Sequence, residues 1–457
     1  MRDRAGSLFR WNGRLMREIR PDHVPAFERL WSSGLLQALL AEGLISPVAL
    51  TEFRTEEGGW VLAHDDIGFV TYPSEWSFSM LRSAAAHTLR VNEFAARFGY
   101  ELKDAHTFNI LFDGTKPRFV DLGSFVPRAE GAFGWPAEGQ FRAAFLNVLR
   151  LWSQCGPYVA RRLLVGGPVL PDMEAFRLHS WLSHVLPTPM HAWHRRWSDR
   201  KAALFWMTEQ EFSKKAGAFA GSVLRFLRRR RLGPFRRARE QVLMRQLQRV
   251  RPPPGKTVWG GYHENFRQGL ITPRVERIVD LIRSYGATTL LDVGCNEGEF
   301  AFRFLRQAGV GHVVALDADP SALDRLYLGA SAEGLSVTPV LSDAVVPLLP
   351  LSGLSQEVRW RVDVVVALAI SHHLILSEEY GVDVVLKRLA GFSRRHLVVE
   401  FMPLGLWNGK VAPPIPEWYR VDWFRAAFSR HCVEVVETPL EENRILFSGR
   451  VRADAPG

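Results

Sequence analysis

The sequence predicts an α/β chain. Its carboxy-terminal half reads as a doubly wound, mainly parallel sheet, preceded by an α+β and mostly helical amino-terminal half. Three observations carry this. Apolar strand-like runs alternate with amphipathic helix-like runs from about residue 289 to 449, the pattern of parallel strands joined by crossover helices. The run Leu290 to Phe300, LLDVGCNEGEF, is an apolar strand, a glycine turn and a helix start in succession. The triplet Pro252-Pro253-Pro254 before Gly255 marks a stiff linker, and 457 residues exceed what one ordinary core holds. The expected division is a first domain at 1–221, an Arg-rich helix and Pro-rich linker at 222–256, and a second domain at 257–457.

Composition bounds the partners. The chain carries 58 Lys and Arg against 48 Asp and Glu, a formal net charge of +10, and 47% of its residues are apolar. The excess is local: Arg225 to Arg251 holds eleven arginines and the single acid Glu240. Such a tract can grip nucleic-acid phosphates, but no aromatic ladder accompanies it, and a solvated basic helix between domains is the simpler expectation. Cys155, Cys295 and Cys432 are far apart and odd in number, which makes neither a disulfide framework nor a metal quartet and fits a reducing cytoplasm. The first residues contain no apolar signal region, and no run of eighteen apolar residues occurs, so neither export nor a membrane span is expected.

In the amino-terminal half, residues 8 to 20 alternate apolar and polar about Asn12-Gly13, a hairpin signal. Phe27, Leu30, Trp31, Leu35, Leu36 and Leu39 have helical spacing and read as one helix ending near Gly43. Trp60 to Leu62 and Ile67 to Val70 read as strand pieces, and Ser77 as the cap of a long helix that stops at Gly99. Residues 136 to 220 read as helical. His179, His184, His191 and His194 lie close together, but Pro187 and Pro189 interrupt them and no Cys or carboxylate completes a metal set.

One stretch of this half carries chemistry. LKDAHTFNILFDGTKPRFVDLGSF places Asp104, His106 and Asn109 ahead of a turn at Asp113-Gly114, then Asp121-Leu122-Gly123. It resembles the catalytic loop and metal-binding Asp-Phe-Gly element of protein-kinase-like and aminoglycoside-phosphotransferase-like enzymes. The resemblance implies that Asp104 takes a substrate hydroxyl proton while Asn109 and Asp121 hold Mg²⁺ on nucleotide phosphates, with Mg-ATP as ligand. The departure is as informative. No lysine precedes Lys103 and no glycine-rich phosphate loop is present. Arg14, Arg17 or Arg20 would have to substitute, and a guanidinium fork replaces a point charge poorly. A degenerate kinase-like binding or scaffold module is favoured over phosphotransfer.

In the carboxy-terminal half a helix with Val275, Ile278, Val279, Leu281 and Ile282 precedes strands expected at 289–293, 312–317, 335–341, 362–369 and 396–401. A final pair at 432–437 and 444–449 follows a helix at 421–429. Asp317 lies nineteen residues after Gly298 and ends the second strand, where a carboxylate can accept both hydroxyls of a ribose. The turn lacks the G-x-G-x-x-G of dinucleotide-binding folds and the Gly-Lys-Ser/Thr of a P-loop.

The pattern D-x-G-x-x-x-G, Asp292 to Gly298, with an acid closing the next strand resembles motifs I and II of class I S-adenosylmethionine-dependent methyltransferases. That resemblance implies a Rossmann-like seven-stranded sheet with a reversed hairpin edge. It also implies a cofactor held by Asp292, Gly294, Asn296, Gly298, Asp317 and Asp343, and covered by Tyr262. The whole chain resembles a bacterial family that joins a degenerate kinase-like front half to this catalytic half, some of whose members are nodulation-protein-like. The stretches carrying it are YPSEWSFSMLR at 72 to 82, LKDAHTFN, VWGGYHENFRQGLITPRVERIVDLI at 258 to 282, LLDVGCNEGEF, ALDADPSALDRLY at 315 to 327 and ALAISHHL at 367 to 374.

In such a sheet the ligand sits beyond the carboxyl ends of the strands. His372 and His373 follow the fourth strand and Glu400 ends the fifth, which makes them the candidate bases. The Asn/Asp-Pro-Pro-Tyr/Phe signature of exocyclic amine methylation is absent after the fourth strand. The expected reaction is methyl transfer to an oxygen of a small-molecule or carrier-bound metabolite. Two alternatives stand beside it: RNA or DNA methylation gripped by the Arg tract, and a kinase-like scaffold that captures a nucleotide. Asp317 is expected at an open strand end, so that its loss would weaken cofactor binding without unfolding the chain.

Overall fold

The computed structural model describes residues 5–128, 135–166, 170–171, 239–253, 272–348, 353–407, 413–441 and 443–452. The chain forms two compact units. The first comprises Met1–Ile67, Leu81–Leu111 and Pro117–Pro253; the second comprises Gly68–Met80, Phe112–Lys116 and Pro254–Gly457. The expected linear division is therefore displaced. Two short pieces of the amino-terminal half count with the second unit, and within the stretch expected to hold an Arg-rich helix, Arg239–Arg249 is a helix that counts with the first.

The first unit opens with β1 (Gly6–Trp11) and β2 (Arg14–Ile19), joined at Asn12 and Gly13 with φ of 49° and 79°. Positive φ at both turn residues matches the right-handed twist of a tight hairpin, and Asn-Gly adopts it cheaply. The single helix expected from Phe27 to Leu39 is two, α1 (Val24–Ser32) and α2 (Leu35–Ala41), because Gly34 between them takes φ 77°. Next come β3 (Val48–Arg54) and β4 (Trp60–His64), and the four strands form an antiparallel sheet in the order β1-β2-β4-β3. The strand expected at Ile67 to Val70 is irregular chain.

The long helix is α3 (Phe78–Ala96), and Ser77 Oγ accepts from Met80 N at its start. Then β5 (Tyr100–Leu102), the hairpin β6 (Ile110–Asp113) with β7 (Lys116–Phe119), and β8 (Phe125–Pro127) follow, β5 pairing with β8. Further along in this unit come helices α4 (Asn147–Cys155), α5 (Pro157–Val165) and α6 (Arg239–Arg249).

The second unit contains α7 (Pro273–Ser284), β9 (Thr289–Val293), α8 (Glu299–Gln307), β10 (His312–Asp317), α9 (Pro320–Glu333) and β11 (Val337–Leu341). It continues with β12 (Val362–Ala367), α10 (Val382–Gly391), β13 (Ser393–Phe401), α11 (Val421–His431), β14 (Cys432–Glu441) and β15 (Arg444–Val451). The strands form one seven-stranded sheet in the order β11-β10-β9-β12-β13-β15-β14. β9 to β13 pair in parallel, while β15 runs antiparallel to both β13 and β14. This is the mixed sheet with a reversed edge expected of a methyltransferase Rossmann-like fold.

Helices cover both faces, which is why β9, β10 and β12 are runs of Leu, Val and Ala rather than alternating sequences. Leu291, Val293, Val314, Leu316, Val365, Ala367, Leu397 and Val399 are buried in one cluster with Val385, Leu386 and Leu389 of α10 and Phe424 and Phe428 of α11. The strand order reverses between β9 and β12. Such a switch point opens a crevice at the carboxyl ends of the strands, and ligands bind there.

Candidate active site

The crevice begins with the turn after β9. Gly294, Asn296 and Gly298 take φ of 75°, 50° and 88°, three left-handed residues in five. Asparagine is among the few non-glycine residues that accept this region readily. A Cβ on Gly294 would lie 2.7 Å from Ile370 Cδ1, and one on Gly298 would lie 2.9 Å from Leu326 Cδ1. The turn is tied to the next strand, since Gly294 N and Cys295 N both donate to Leu316 O at 2.8 and 3.2 Å.

Asp317, at the end of β10, closes this arrangement. Its Oδ2 accepts from Asn296 N and its Oδ1 from Asp319 N, each at 2.7 Å. Asp319 in turn caps α9, accepting from Ser321 N and Ala322 N at 2.8 and 3.0 Å. Asp317 is only partly exposed, and burial, with the charge of Asp319 as a smaller cause, pushes its carboxyl up to about 6. Asp292 is buried, and burial followed by the Asp317 charge pushes it up to about 7. Asp317 is therefore not a free group at an open strand end: it also holds the turn and the entry to α9.

After β11, Ser342 is buried and its N donates to Asp317 O at 2.9 Å. Asp343 Oδ1 accepts from Val345 N and Val346 N at 2.7 Å each, so this carboxylate folds back on its own loop.

After β12, Ala369 takes φ 51° and Ile370 closes on the Gly294 turn. His372 and His373 follow with ring centroids 4.1 Å apart. Burial, then the neighbouring His373 and Arg444, push buried His372 down to about 3, and its buried Nδ1 has no hydrogen-bond partner among the described residues. His373 is half-buried and is lowered by burial alone.

Glu400 departs from its expected role. Arg274 grips it twice, Nε to Oε1 at 2.8 Å and Nη2 to Oε2 at 2.9 Å, and Arg444 Nη1 donates to Oε2 at 2.8 Å. Burial alone would raise this carboxyl, but the two guanidiniums outweigh it and hold it below its ordinary range. A fully buried carboxylate so engaged is a poor base, and its place is structural. Sequence reasoning missed Arg274 and Arg444, which lie 126 and 44 positions from Glu400. Proximity of Arg274 to the start of α7 was the only local sign.

The cofactor's chemistry can be set against this geometry. A ribose offers two adjacent hydroxyl donors. Asp317 is a carboxylate raised by burial and held at the crevice by Asn296 N on Oδ2 and Asp319 N on Oδ1, so further donors would stabilise its charged form. The residues fit the group. Gly294, Asn296, Gly298, Asp317 and the Ser342-Asp343 loop are brought to one edge; Tyr262 lies outside the described residues.

In the first unit Asn109 Nδ2 approaches Asp104 O at 3.5 Å, and Ser124 Oγ bridges Asp104 by accepting from its N and donating to its O, both at 3.1 Å. Asp121 Oδ1 accepts from Gly123 N at 3.0 Å, and Nη2 of the buried Arg17 lies 3.7 Å from it. A cation already stands beside the carboxylate expected to meet Mg²⁺. The histidines at 179, 184, 191 and 194 and the arginines from 225 to 237 lie outside the described residues. The described end of that tract, α6, buries Leu243 and Leu247, and Glu240 Oε1 accepts from Asn92 Nδ2 at 3.0 Å. Among the described residues no helix is long and apolar enough to cross a membrane.

No family model matches the chain. The chain is 25% identical over 425 residues to the nodulation protein NoeA of Rhizobium meliloti (strain 1021), which covers 88% of this chain and 84% of that one. Among solved structures, PH0226 protein from Pyrococcus horikoshii OT3 is similar over 43% of this chain and 95% of its own at 15% identity, with a TM-score of 0.32. The N-methyltransferase NodS from Bradyrhizobium japonicum WM9 covers 40% of this chain and 98% of its own at 12% identity and a TM-score of 0.29. The N-terminal domain of EvdMO1 with SAH bound covers 44% and 88% at 18% identity and a TM-score of 0.31.

Proposed function

We propose that the chain is an S-adenosylmethionine-dependent methyltransferase acting on an oxygen of a small-molecule or carrier-bound acceptor. The observation that carries the reading is Asp317, whose two oxygens accept from Asn296 N and Asp319 N at the mouth of the β9/β12 crevice. Its carboxylate would receive the ribose hydroxyls, the left-handed turn at 294–298 would lie under the methionine portion, and the Ser342-Asp343 loop would face the adenine edge. Bound there, S-adenosylmethionine supplies an electrophilic methyl group.

The chain's own work is then alignment and proton removal. Holding an acceptor in line with the methyl group is worth up to roughly 7 to 11 kcal/mol in well-oriented systems. His373, lowered by burial, stays neutral near pH 7 and can take an acceptor hydroxyl proton at its unprotonated ring nitrogen. His372, pushed down to about 3, is a far weaker base. The testing experiment is calorimetric titration of the full chain with S-adenosylmethionine and, separately, with Mg-ATP. Micromolar binding of the first, weakened roughly 10- to 150-fold in Asp317→Asn, supports the reading. Absence of that binding, with Mg-ATP held instead, sinks it.

A further inference from the structure

The second unit is completed by residues from far upstream. Gly68–Met80 runs along it as a strap and is held at many points. Val70 O accepts from Arg359 Nη1 and Trp360 Nε1 at 2.7 and 2.8 Å. Tyr72 OH accepts from Leu354 N at 3.0 Å, and the Arg359 guanidinium lies 4.2 Å from the Tyr72 ring centre. At the far end Ser77 Oγ and Ser79 N both donate to Asp324 Oδ1 at 2.6 and 2.7 Å, and Ser79 Oγ donates to Oδ2 at 2.8 Å.

The centre of the strap is Glu75, a fully buried carboxylate. Its Oε2 accepts from Arg359 Nη1 and Tyr72 N, both at 2.8 Å, and its Oε1 accepts from Arg359 Nη2 at 2.6 Å and Gln356 Nε2 at 3.0 Å. Gln356 is equally buried. The same Nε2 donates to Ser342 Oγ at 2.9 Å, so its two amide hydrogens serve Glu75 and Ser342. Its Oε1 accepts from Arg388 Nη2 at 2.8 Å.

This fixes the amide's orientation, because a flipped Gln356 would set its oxygen against the Glu75 carboxylate. Ser342 Oγ, having accepted, is left to donate, and it does so to Asp343 O at 3.0 Å. Arg388 Nε holds the next carbonyl, Ala344 O, at 3.2 Å. The chain of donors therefore ends on the loop that follows β11.

We propose that Glu75 is a positioning residue of the cofactor site, setting the 342–346 loop through Gln356 and Ser342. This rests on the methyl-transfer reading above, which gives that loop the adenine edge. The second unit then takes part of its site geometry from a segment that precedes β9 by more than two hundred residues.

The test uses the full chain with Glu75→Gln, Gln356→Met and the two combined. Gln356→Met cuts the relay while leaving the Glu75–Arg359 pair in place, so it answers even where Glu75→Gln does not fold. Amide hydrogen exchange without ligand is read at Val345 and Val346, and S-adenosylhomocysteine affinity by calorimetry. Expected are faster exchange at those two amides and affinity weaker by about tenfold in either variant, the double variant being no worse than the single ones. Unchanged exchange, unchanged affinity in a folded variant, or losses that multiply in the double variant overturn the proposal. If the wild-type chain binds no S-adenosylhomocysteine, the methyl-transfer reading fails and the adenine assignment goes with it. The exchange rates then still decide whether Glu75 holds the loop.

Discussion

Arg274 meets Glu400 with both edges of its guanidinium, at 2.8 and 2.9 Å, and the carboxylate is fully buried. Arg444 joins from the opposite partner strand at 2.8 Å. A buried ion pair adds little over an apolar replacement of the same shape, but breaking one partner leaves a charge unpaired and typically costs about 3 to 5 kcal/mol. Glu400→Gln should therefore lower the urea midpoint sharply, with no change in the slope of the transition. A variant as stable as wild type would return Glu400 to the list of bases.

Asp317 should couple binding to stability. Asp317→Asn keeps one oxygen for a backbone amide and loses the charge that the hydroxyls would share. Cofactor affinity is expected to fall roughly 10- to 150-fold, the equivalent of about 1.5 to 3 kcal/mol for a charge-assisted contact. Because an amide can accept from only one of Asn296 N and Asp319 N, the melting temperature should fall as well. Calorimetry and a thermal scan on the same sample check both. An unchanged melting temperature would show that the two backbone contacts contribute nothing.

The sheet was legible because covering both faces leaves an unmistakable signature, strands such as Leu290 to Val293 and Val362 to Ala367 without alternation. The turn and Asp317 were legible because left-handed backbone and a strand-end acid both leave marks in sequence. What failed was long range. Glu75 and Arg359 lie 284 positions apart, and no local spacing connects them. Ile67 to Val70 reads as a strand from its apolar side chains, yet Phe69 stacks on His312 at 4.9 Å and Val70 O is spent on Arg359 and Trp360, so no ladder forms. β3 was missed for the converse reason: Glu52, Phe53 and Arg54 are exposed, and the polar face hides the period.

The pH dependence of stability should show two opposed contributions. Burial lowers His64, His87 and His312 to about 4 and His372 to about 3. Their folded values lie below the unfolded value near 6.5, so their stability is fully present above that pH and is lost as pH falls toward 4. Asp292 works the other way. Raised to about 7, it contributes stability that is fully present below its unfolded value near 4 and is lost as pH rises through 7. Melting curves of wild type and Asp292→Asn from pH 4.5 to 8 separate the two. The wild-type chain should lose ground to the variant as pH rises, by on the order of a few kcal/mol at most. A difference independent of pH would mean that Asp292 is not held in a raised state.

The two adjacent histidines should part company in solution. Nitrogen-labelled histidine NMR is expected to show His373 titrating below 6.5 and His372 still neutral at pH 5, since the second is buried and lowered to about 3. The consequence for catalysis follows from Brønsted behaviour: a base of pKa near 3 gains little from a proton it binds so weakly, whereas general-base help from a better-matched group is typically worth about 10²- to 10⁴-fold. With a hydroxyl acceptor, His373→Ala should lower kcat by that order while leaving cofactor affinity alone. His372→Phe, close in volume, should change stability more than rate. If His372→Phe abolishes transfer in a folded protein and His373→Ala does not, the assignment reverses, and His372 Nδ1, without a hydrogen-bond partner among the described residues, becomes the atom that meets the acceptor.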